Sequence, residues 1–163
     1  KKDSHEIEEE QAEKEESAHS TSEAGTNLAS GVADASSGKG FKLLVVEDEK
    51  FLRELMTQKL LKEGFVVNSA IDGIDALRKV EEFMPNLIFL DLILPGMHGF
   101  DVRAQIKANS KVAHIPVVVL SNLGQREDIE KGKALGARDY MVKAHFTPDE
   151  IVEKAKSILN STY

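Results

Sequence analysis

Short apolar runs alternate with longer amphipathic segments from residue 41 to the end of this 163-residue chain. Residues 42–46 contain an unbroken Leu/Val run, the pattern of a strand buried on both faces of a parallel sheet. Residues 50–63 place apolar side chains at helical spacing, and Gly64 is suited to end that helix. The strand-then-helix unit recurs five times. The other predicted strands span residues 65–70, 87–90, 117–120 and 140–142, and the other predicted helices span residues 72–83, 100–108, 125–135 and 148–159.

This alternation predicts an α/β fold, in which right-handed crossovers place helices on both faces of a parallel sheet. Five strands fit the flavodoxin-like doubly wound fold, a five-stranded parallel sheet of order 2-1-3-4-5 with five helices. In the first two helices, we expect the apolar side chains to face the sheet. These residues are Phe51, Leu52, Leu55, Met56, Leu60, Leu61, Ile74, Leu77 and Val80.

Residues 1–40 differ sharply in composition from the rest of the chain. They contain ten acidic residues and four lysines, and their only large apolar side chains are Ile7, Leu28 and Val32. A segment with so little apolar surface cannot offset its ordering entropy. We therefore expect residues 1–40 to be a disordered acidic tail or linker and residues 41–163 to be the folded domain. The chain has no cysteine, which excludes disulfides and thiolate metal sites.

Four of the predicted strands end in polar residues of different chemistry. The carboxyl ends of all strands in an open parallel sheet lie at one edge, and ligands bind in the crevice outside that edge. Three carboxylates, a hydroxyl and an ammonium group are therefore expected to lie together. These groups belong to Glu47 and Asp48 after the first strand, Asp91 after the third, Ser121 after the fourth and Lys143 after the fifth.

The acidic residues at this edge allow two interpretations. Glu47 and Asp48 directly precede a predicted helix and could serve only as N-terminal caps, where acidic side chains are favoured. Asp91 lies in a different loop, with no helix directly after it. Three neighbouring carboxylates would repel one another, and a hard divalent cation relieves that repulsion. The set thus favours a Mg²⁺ site that keeps open positions for phosphate oxygens.

Asp91 also has the chemistry of a phosphoryl acceptor. A carboxylate can attack a phosphoryl group to form an acyl phosphate, and this transfer depends mainly on positioning and charge neutralisation. Mg²⁺ and Lys143 would supply positive charge, and the Ser121 hydroxyl would donate a hydrogen bond to a phosphoryl oxygen. Neither Lys143 nor Ser121 is distinctive alone, so the interpretation depends on their joint placement.

The motifs that contain these residues resemble the receiver (phosphoacceptor) domain of bacterial two-component response regulators. The motifs are VVEDE, LDLILPGMHGFD, VVVLSN and GARDYMVK, in that order. The resemblance covers residues 41–163 and implies a phosphorylation-dependent signalling switch. By resemblance, Asp91 is the phosphorylated residue, and Mg²⁺ is held by Glu47, Asp48, Asp91 and the backbone carbonyl of Ile93. The resemblance also implies that Ser121 and Lys143 contact the phosphoryl group and that Tyr140 rotates inward on activation.

Ile93 and Leu123 each lie two positions after a predicted site residue. In the family that the chain resembles, polar side chains at these positions help to orient the water that hydrolyses the acyl phosphate. Both residues are aliphatic here and cannot hydrogen-bond a water molecule. We therefore expect a long-lived phosphorylated state.

The resemblance implies a histidine kinase or a phosphotransfer protein as phosphoryl donor, and a chain that catalyses only its own phosphorylation and dephosphorylation. Its readout surface would comprise the helix at residues 125–135, the fifth strand and the last helix, and would bind a downstream protein or a second copy of the chain. Residues 41–163 carry 18 acidic and 17 basic residues, so we expect no direct nucleic-acid or membrane partner. A cytoplasmic location is expected, because we find no signal peptide and no membrane-length apolar run.

Three other interpretations remain open. The chain could be the C-terminal receiver domain of a hybrid sensor kinase. The same acids and lysine could serve a Mg²⁺-dependent phosphohydrolase, but that enzyme would need a further acid to activate water, and Ile93 argues against it. A flavin-binding module of this fold would need a Ser/Thr/Gly-rich loop after the first strand, where this chain has Glu47 and Asp48.

Overall fold

A computed structural model describes residue 38 and residues 40–122 and 126–163. These residues form five strands and five α-helices in alternation, as the apolar pattern predicts, and a short 3-10 helix follows the last strand. The strands are β1 (Lys42–Val46), β2 (Val66–Ala70), β3 (Leu87–Asp91), β4 (Val117–Ser121) and β5 (Asp139–Val142). The helices are α1 (Lys50–Lys62), α2 (Gly73–Phe83), α3 (Gly99–Ala108), α4 (Arg126–Ala134), the 3-10 helix Lys143–His145 and α5 (Pro148–Thr162).

The five strands form one parallel sheet in the order β2-β1-β3-β4-β5. This is the predicted flavodoxin-like doubly wound order, and it places β1, β3 and β4 side by side. Every residue of β3 and β4 is buried, as are the last four residues of β1. The near-continuous apolar runs therefore reflect strands that are covered by helices on both faces.

Two apolar cores lie on opposite faces of the sheet, because successive side chains of a strand point to opposite sides. Helices α2 and α3 pack on one face, and helices α1 and α5 pack on the other. In the first core, the central strands contribute Leu44, Val46, Ile88, Leu90, Val117 and Val119. The second core takes Leu43, Val45, Leu87, Phe89, Val118 and Leu120.

The predicted apolar face of α1 is only partly correct. Met56 and Leu60, four positions apart, are buried against the sheet, whereas Phe51 is 73% exposed and Leu61 is 50% exposed. Each residue turns about 100° around a helix, so relative to a stripe centred on Met56 and Leu60, Leu61 lies about 120° away and Phe51 about 160° away. Leu55 is also exposed. The helix therefore presents apolar side chains to solvent beside the acidic loop that precedes it.

The prediction for α2 is wrong at one position. Val80 is buried as expected and Leu77 packs against the core, but Ile74 is 73% exposed. The helix begins at Gly73, and its buried surface near this end is formed by Gly73 and Ala76. Ile74 is turned about 100° from Gly73 and about 160° from Ala76 around the helix, and it therefore points away from the sheet.

Two strands extend one residue further than predicted, and this places site residues inside the sheet. β3 ends at Asp91 rather than at residue 90, and β4 ends at Ser121 rather than at residue 120. Asp91 pairs with Leu120 in the register of β3 and β4. The two polar side chains are thus held by paired strands rather than by free loops.

Most of the predicted tail lies outside the described residues, which include only residues 38 and 40 of that segment. Leu123 of the predicted site also lies outside them. Among the described helices, none combines the length and the apolar character that a membrane span requires.

Candidate functional site

A cleft of about 430 Å³ lies at the carboxyl edge of the sheet, next to the ends of β1 and β3. Asp91, the last residue of β3, is 3% exposed, and Glu47, which follows β1, is fully buried. Asp48 is exposed. The sequence prediction that these acids meet at one edge is therefore matched by the geometry. The residues that line the cleft are Glu47, Asp48, Glu49, Leu52, Asp91, Ile93, Asn122, Lys143 and Ala144.

Lys143 connects the two buried acids. It follows β5 at the start of the 3-10 helix, and its Nζ lies 2.8 Å from Asp91 Oδ2 and 2.5 Å from Glu47 Oε2. The side chain of Lys143 is only 10% exposed. Its ammonium group therefore sits at the floor of the cleft, where it would neutralise negative charge that enters beside Asp91.

Asp91 is held at both carboxylate oxygens. Its Oδ1 accepts a hydrogen bond from the backbone N–H of Ile93 at 3.3 Å, while Oδ2 accepts one from Lys143. Gly99 supports the loop between β3 and α3, since its N–H donates to the carbonyl oxygen of Leu92 at 2.8 Å. A Cβ atom at position 99 would lie 2.3 Å from the Asp91 carbonyl oxygen. Only glycine fits this close approach.

The two charged partners at the cleft have shifted pKa values. Burial raises the pKa of Glu47 from 4.5 to about 7, against the lowering effect of its hydrogen bond with Lys143, and the nearby charge of Asp91 raises it further. Burial alone would lower the pKa of Lys143, but its hydrogen bonds to Asp91 and Glu47 outweigh that effect and raise it. The lysine therefore stays charged, while Glu47 is poised between its neutral and charged forms near neutral pH.

The three acids fit the donor set of a hard divalent cation. One carboxylate oxygen from each of Glu47, Asp48 and Asp91 can be chosen so that all three lie within 4.8 Å of one another. Carboxylate oxygens are the ligands that Mg²⁺ prefers. Burial is the main cause of the raised pKa of Glu47, and a cation there would relieve the further contribution from the charge of Asp91. The alternative, that Glu47 and Asp48 only cap α1, fits less well, because the N-cap residue is Glu49. Its N–H donates to Glu47 Oε1 at 3.1 Å.

Ser121 and Tyr140 lie beside the cleft rather than in its wall. Ser121 is fully buried at the end of β4, and the neighbouring Asn122 lines the cleft instead. The Ser121 side chain is hydrogen-bonded to the phenol of Tyr140. Burial raises the pKa of Tyr140 above its usual value of 10.0, and this hydrogen bond opposes the increase. The serine and the tyrosine are therefore directly linked, which sequence patterns do not reveal.

Ile93 lies where the sequence predicts, two residues beyond Asp91 at the cleft. Its side chain is 54% exposed and lines the opening, so the described wall there is aliphatic. His98, in the loop before α3, accepts a hydrogen bond from the N–H of Phe100 through Nδ1 and forms the N-cap of α3. His98 is exposed, and this cap gives it a structural role.

Sequence reasoning missed Arg53. This residue of α1 donates hydrogen bonds from Nη1 to the carbonyl oxygens of Glu47 at 2.9 Å and Asp48 at 3.1 Å. A basic residue in the first turn of the helix after an acidic pair is a usable sequence signal, since helical geometry brings that turn back over the loop. The same position is also compatible with an ordinary solvent-exposed arginine.

Comparison with known proteins identifies the family. The model of the response regulator receiver domain matches residues 43–156. The chain is 36% identical over 118 residues to Protein PilG of Pseudomonas aeruginosa, an alignment that covers 72% of this chain and 87% of PilG. It is 40% identical over 118 residues to the DNA-binding response regulator MtrA of Mycobacterium tuberculosis, covering 72% of this chain but only 50% of MtrA.

A solved structure supports the same assignment. The Mn²⁺-bound form of response regulator Rcp1 superimposes with a TM-score of 0.62 at 29% identity, covering 72% of this chain and 91% of that chain. The chain thus spans most of PilG and Rcp1, and about half the length of MtrA. Relatives such as MtrA are named as DNA-binding proteins, so the expectation of no nucleic-acid partner gains no support. Residues 43–156 are a response regulator receiver domain, a signalling switch module, and the chain belongs to that family.

Proposed function

We propose that Asp91 accepts a phosphoryl group from a histidine kinase or a phosphotransfer protein. The observation that carries the proposal is the placement of this carboxylate: buried at a strand end, open to the cleft and hydrogen-bonded to Lys143 at 2.8 Å. In the transfer, an Asp91 oxygen attacks phosphorus, a P–O bond forms and the P–N bond of the donor phosphohistidine breaks. Lys143 stabilises the negative charge that gathers on the phosphoryl oxygens.

The acids and a backbone carbonyl would hold Mg²⁺. Glu47, Asp48 and Asp91 provide oxygen donors within reach of one another, and the carbonyl of Ile93 would complete the protein ligands. Rcp1, a response regulator of similar fold, has a Mn²⁺-bound form, which supports the binding of a divalent cation. When bound, the cation neutralises the acidic cluster and the incoming phosphoryl oxygens. Asp91 stays in place through its hydrogen bonds to Lys143 and to the Ile93 N–H.

Ser121 and Tyr140 would transmit the modification to a partner surface. An acyl phosphate adds roughly two negative charges at the cleft. The Ser121 hydroxyl would exchange its contact with Tyr140 for a phosphoryl oxygen, and the released Tyr140 ring would move into the space that the serine leaves. Tyr140 belongs to β5 and packs near Gly132 of α4, at 3.3 Å from a Cβ built on that glycine. This contact supports α4, β5 and α5 as the surface that binds a downstream protein or a second copy of the chain.

The phosphorylated state would be long-lived. Hydrolysis requires a water molecule placed in line with the Asp91 acyl phosphate, and the exposed Ile93 side chain offers it no hydrogen bond. Leu123, which lies outside the described residues, is the second aliphatic residue in this proposal. The chain would catalyse only its own phosphorylation and dephosphorylation, in the cytoplasm, where such donors take their phosphoryl group from ATP.

Phosphorylation by a small donor tests the proposal. Wild-type protein incubated with Mg²⁺ and acetyl phosphate should gain the mass of one phosphoryl group. Asp91→Asn should gain none, and Asp101→Asn, a matched control on the first turn of α3, should behave as wild type. Steady release of phosphate from simple esters without a modified protein would instead indicate a hydrolase.

A further inference from the structure

The three proposed metal ligands are not held equally well. Glu47 is fixed by Lys143 and by the N–H of Glu49, and Asp91 is fixed by Lys143 and by the N–H of Ile93. Asp48 differs from both, since its carboxylate is exposed and accepts no hydrogen bond within the described part of the chain. The orientation of Asp48 therefore depends on its backbone.

Arg53 holds that backbone on both sides of Asp48. Its Nη1 donates to the carbonyl oxygen of Glu47 at 2.9 Å and to that of Asp48 at 3.1 Å. A peptide group is planar, so a fixed carbonyl fixes the whole plane. The first carbonyl sets the peptide plane before the Asp48 Cα, and the second sets the plane after it. Together they fix the direction in which the Asp48 side chain leaves the main chain.

We propose that Arg53 is a positioning residue that sets the affinity of the site for a divalent cation by aiming Asp48 at it. The proposal rests on the proposed Mg²⁺ site and adds a residue that does not itself touch the metal. Partners that orient metal ligands typically change metal affinity by about 10-fold to 100-fold when removed. Because the exposed Asp48 can still reach the cleft by rotation, we expect the lower end of that range.

Mn²⁺ binding measures this effect without any phosphorylation step. Free Mn²⁺ has a strong electron paramagnetic resonance signal, and titration of the wild-type chain gives a dissociation constant directly. We expect Arg53→Met to weaken Mn²⁺ binding by about tenfold. Arg53→Lys keeps a cation that can donate to one of the carbonyls and should lose less than Arg53→Met. Arg78→Met is the matched control, because Arg78 pairs with Asp75 and Glu82 on the distant α2.

A double-mutant cycle separates positioning from general damage to the fold. If Arg53 acts through Asp48, Arg53→Met should cost little more in the Asp48→Asn background, since the residue that it aims no longer binds. Equal losses in both backgrounds, or a dissociation constant for Arg53→Met within about twofold of the wild type, would overturn the proposal while leaving the metal site intact. Failure of the wild type to bind Mn²⁺ would overturn the metal site and this inference together.

Discussion

The buried Glu47 predicts an unusual dependence of stability on pH. The carboxyl group has a pKa of about 7 in the folded chain, against an ordinary value of 4.5. A group that binds its proton more tightly in the folded state stabilises the fold while it is protonated in both states. That contribution is complete below about pH 4.5 and is lost as the pH rises through 7. Raising the pH from about 4.5 to above 7 therefore removes this contribution.

The size of the effect follows from the pKa difference. One pKa unit corresponds to about 1.4 kcal/mol, so a rise from 4.5 to about 7 corresponds to about 3 kcal/mol of unfolding free energy. That is a large part of the roughly 5–15 kcal/mol that stabilises a typical domain. Mg²⁺ competes with the proton for the Glu47 carboxylate and stabilises only the folded chain, so its addition should restore stability at the high end of the window.

Urea unfolding followed by far-ultraviolet circular dichroism, at a series of pH values with and without Mg²⁺, measures these changes. The wild type should lose up to about 3 kcal/mol between about pH 4.5 and pH 7.5 without Mg²⁺. Glu47→Gln cannot titrate, and its profile should be flatter by the same amount. Glu54→Gln, at an exposed site on α1, should follow the wild-type profile. Parallel profiles for the wild type and Glu47→Gln would refute the assignment of the shifted pKa to Glu47.

Three further predictions concern other residues of the cleft and its margin. Lys143→Met leaves Glu47 and Asp91 without their shared cation, so the unfolding free energy at pH 8 should fall by roughly 3 kcal/mol. The fall should be smaller at acidic pH, and an equal fall at both pH values would contradict the electrostatic role of Lys143. Ile93→Asn supplies a hydrogen bond for the hydrolytic water, so the half-life of the phosphorylated protein should shorten by up to about tenfold. Intact-mass measurements over time follow this half-life, and an unchanged value would contradict the proposed role of Ile93. Phe51→Ser removes an apolar side chain that is 73% exposed beside the acidic loop. The Phe51→Ser substitution should slow phosphorylation by a protein donor several-fold but should not slow phosphorylation by acetyl phosphate. Ile74→Ser is the control, because Ile74 is equally exposed on α2. Slower phosphorylation with both donors would indicate damage to the cleft instead.

The sheet and its strand order can be predicted from the sequence because each strand is marked by its own run of apolar residues. Each central strand contains a continuous run of four apolar residues, and short strands that alternate with helices allow few topologies. The polar ends of those runs then identify Glu47, Asp48, Asp91 and Lys143 as neighbours, since parallel strands end at one edge. These four residues line the cleft in the structure.

The details that depend on side-chain direction are not readable in this way. The face of α1 that is buried is set by its contact with the sheet, so the apolar pattern alone misplaces Phe51 and Leu61. The contact between Ser121 and Tyr140 depends on the register of β4 with β5, in which Val119 pairs with Tyr140. Arg53 acts on backbone carbonyls, so its position after the acidic pair does not distinguish it from an ordinary solvent-exposed arginine.

Chemical trapping of the acyl phosphate tests the central claim most directly. Borohydride reduces an aspartyl phosphate to homoserine, which marks the modified residue permanently. After reaction of the wild-type chain with acetyl phosphate and Mg²⁺, peptide mapping by mass spectrometry should find homoserine at position 91. Homoserine at position 48 or at another acid, or none at any position after the mass gain, would contradict the assignment of Asp91 as the phosphoryl acceptor.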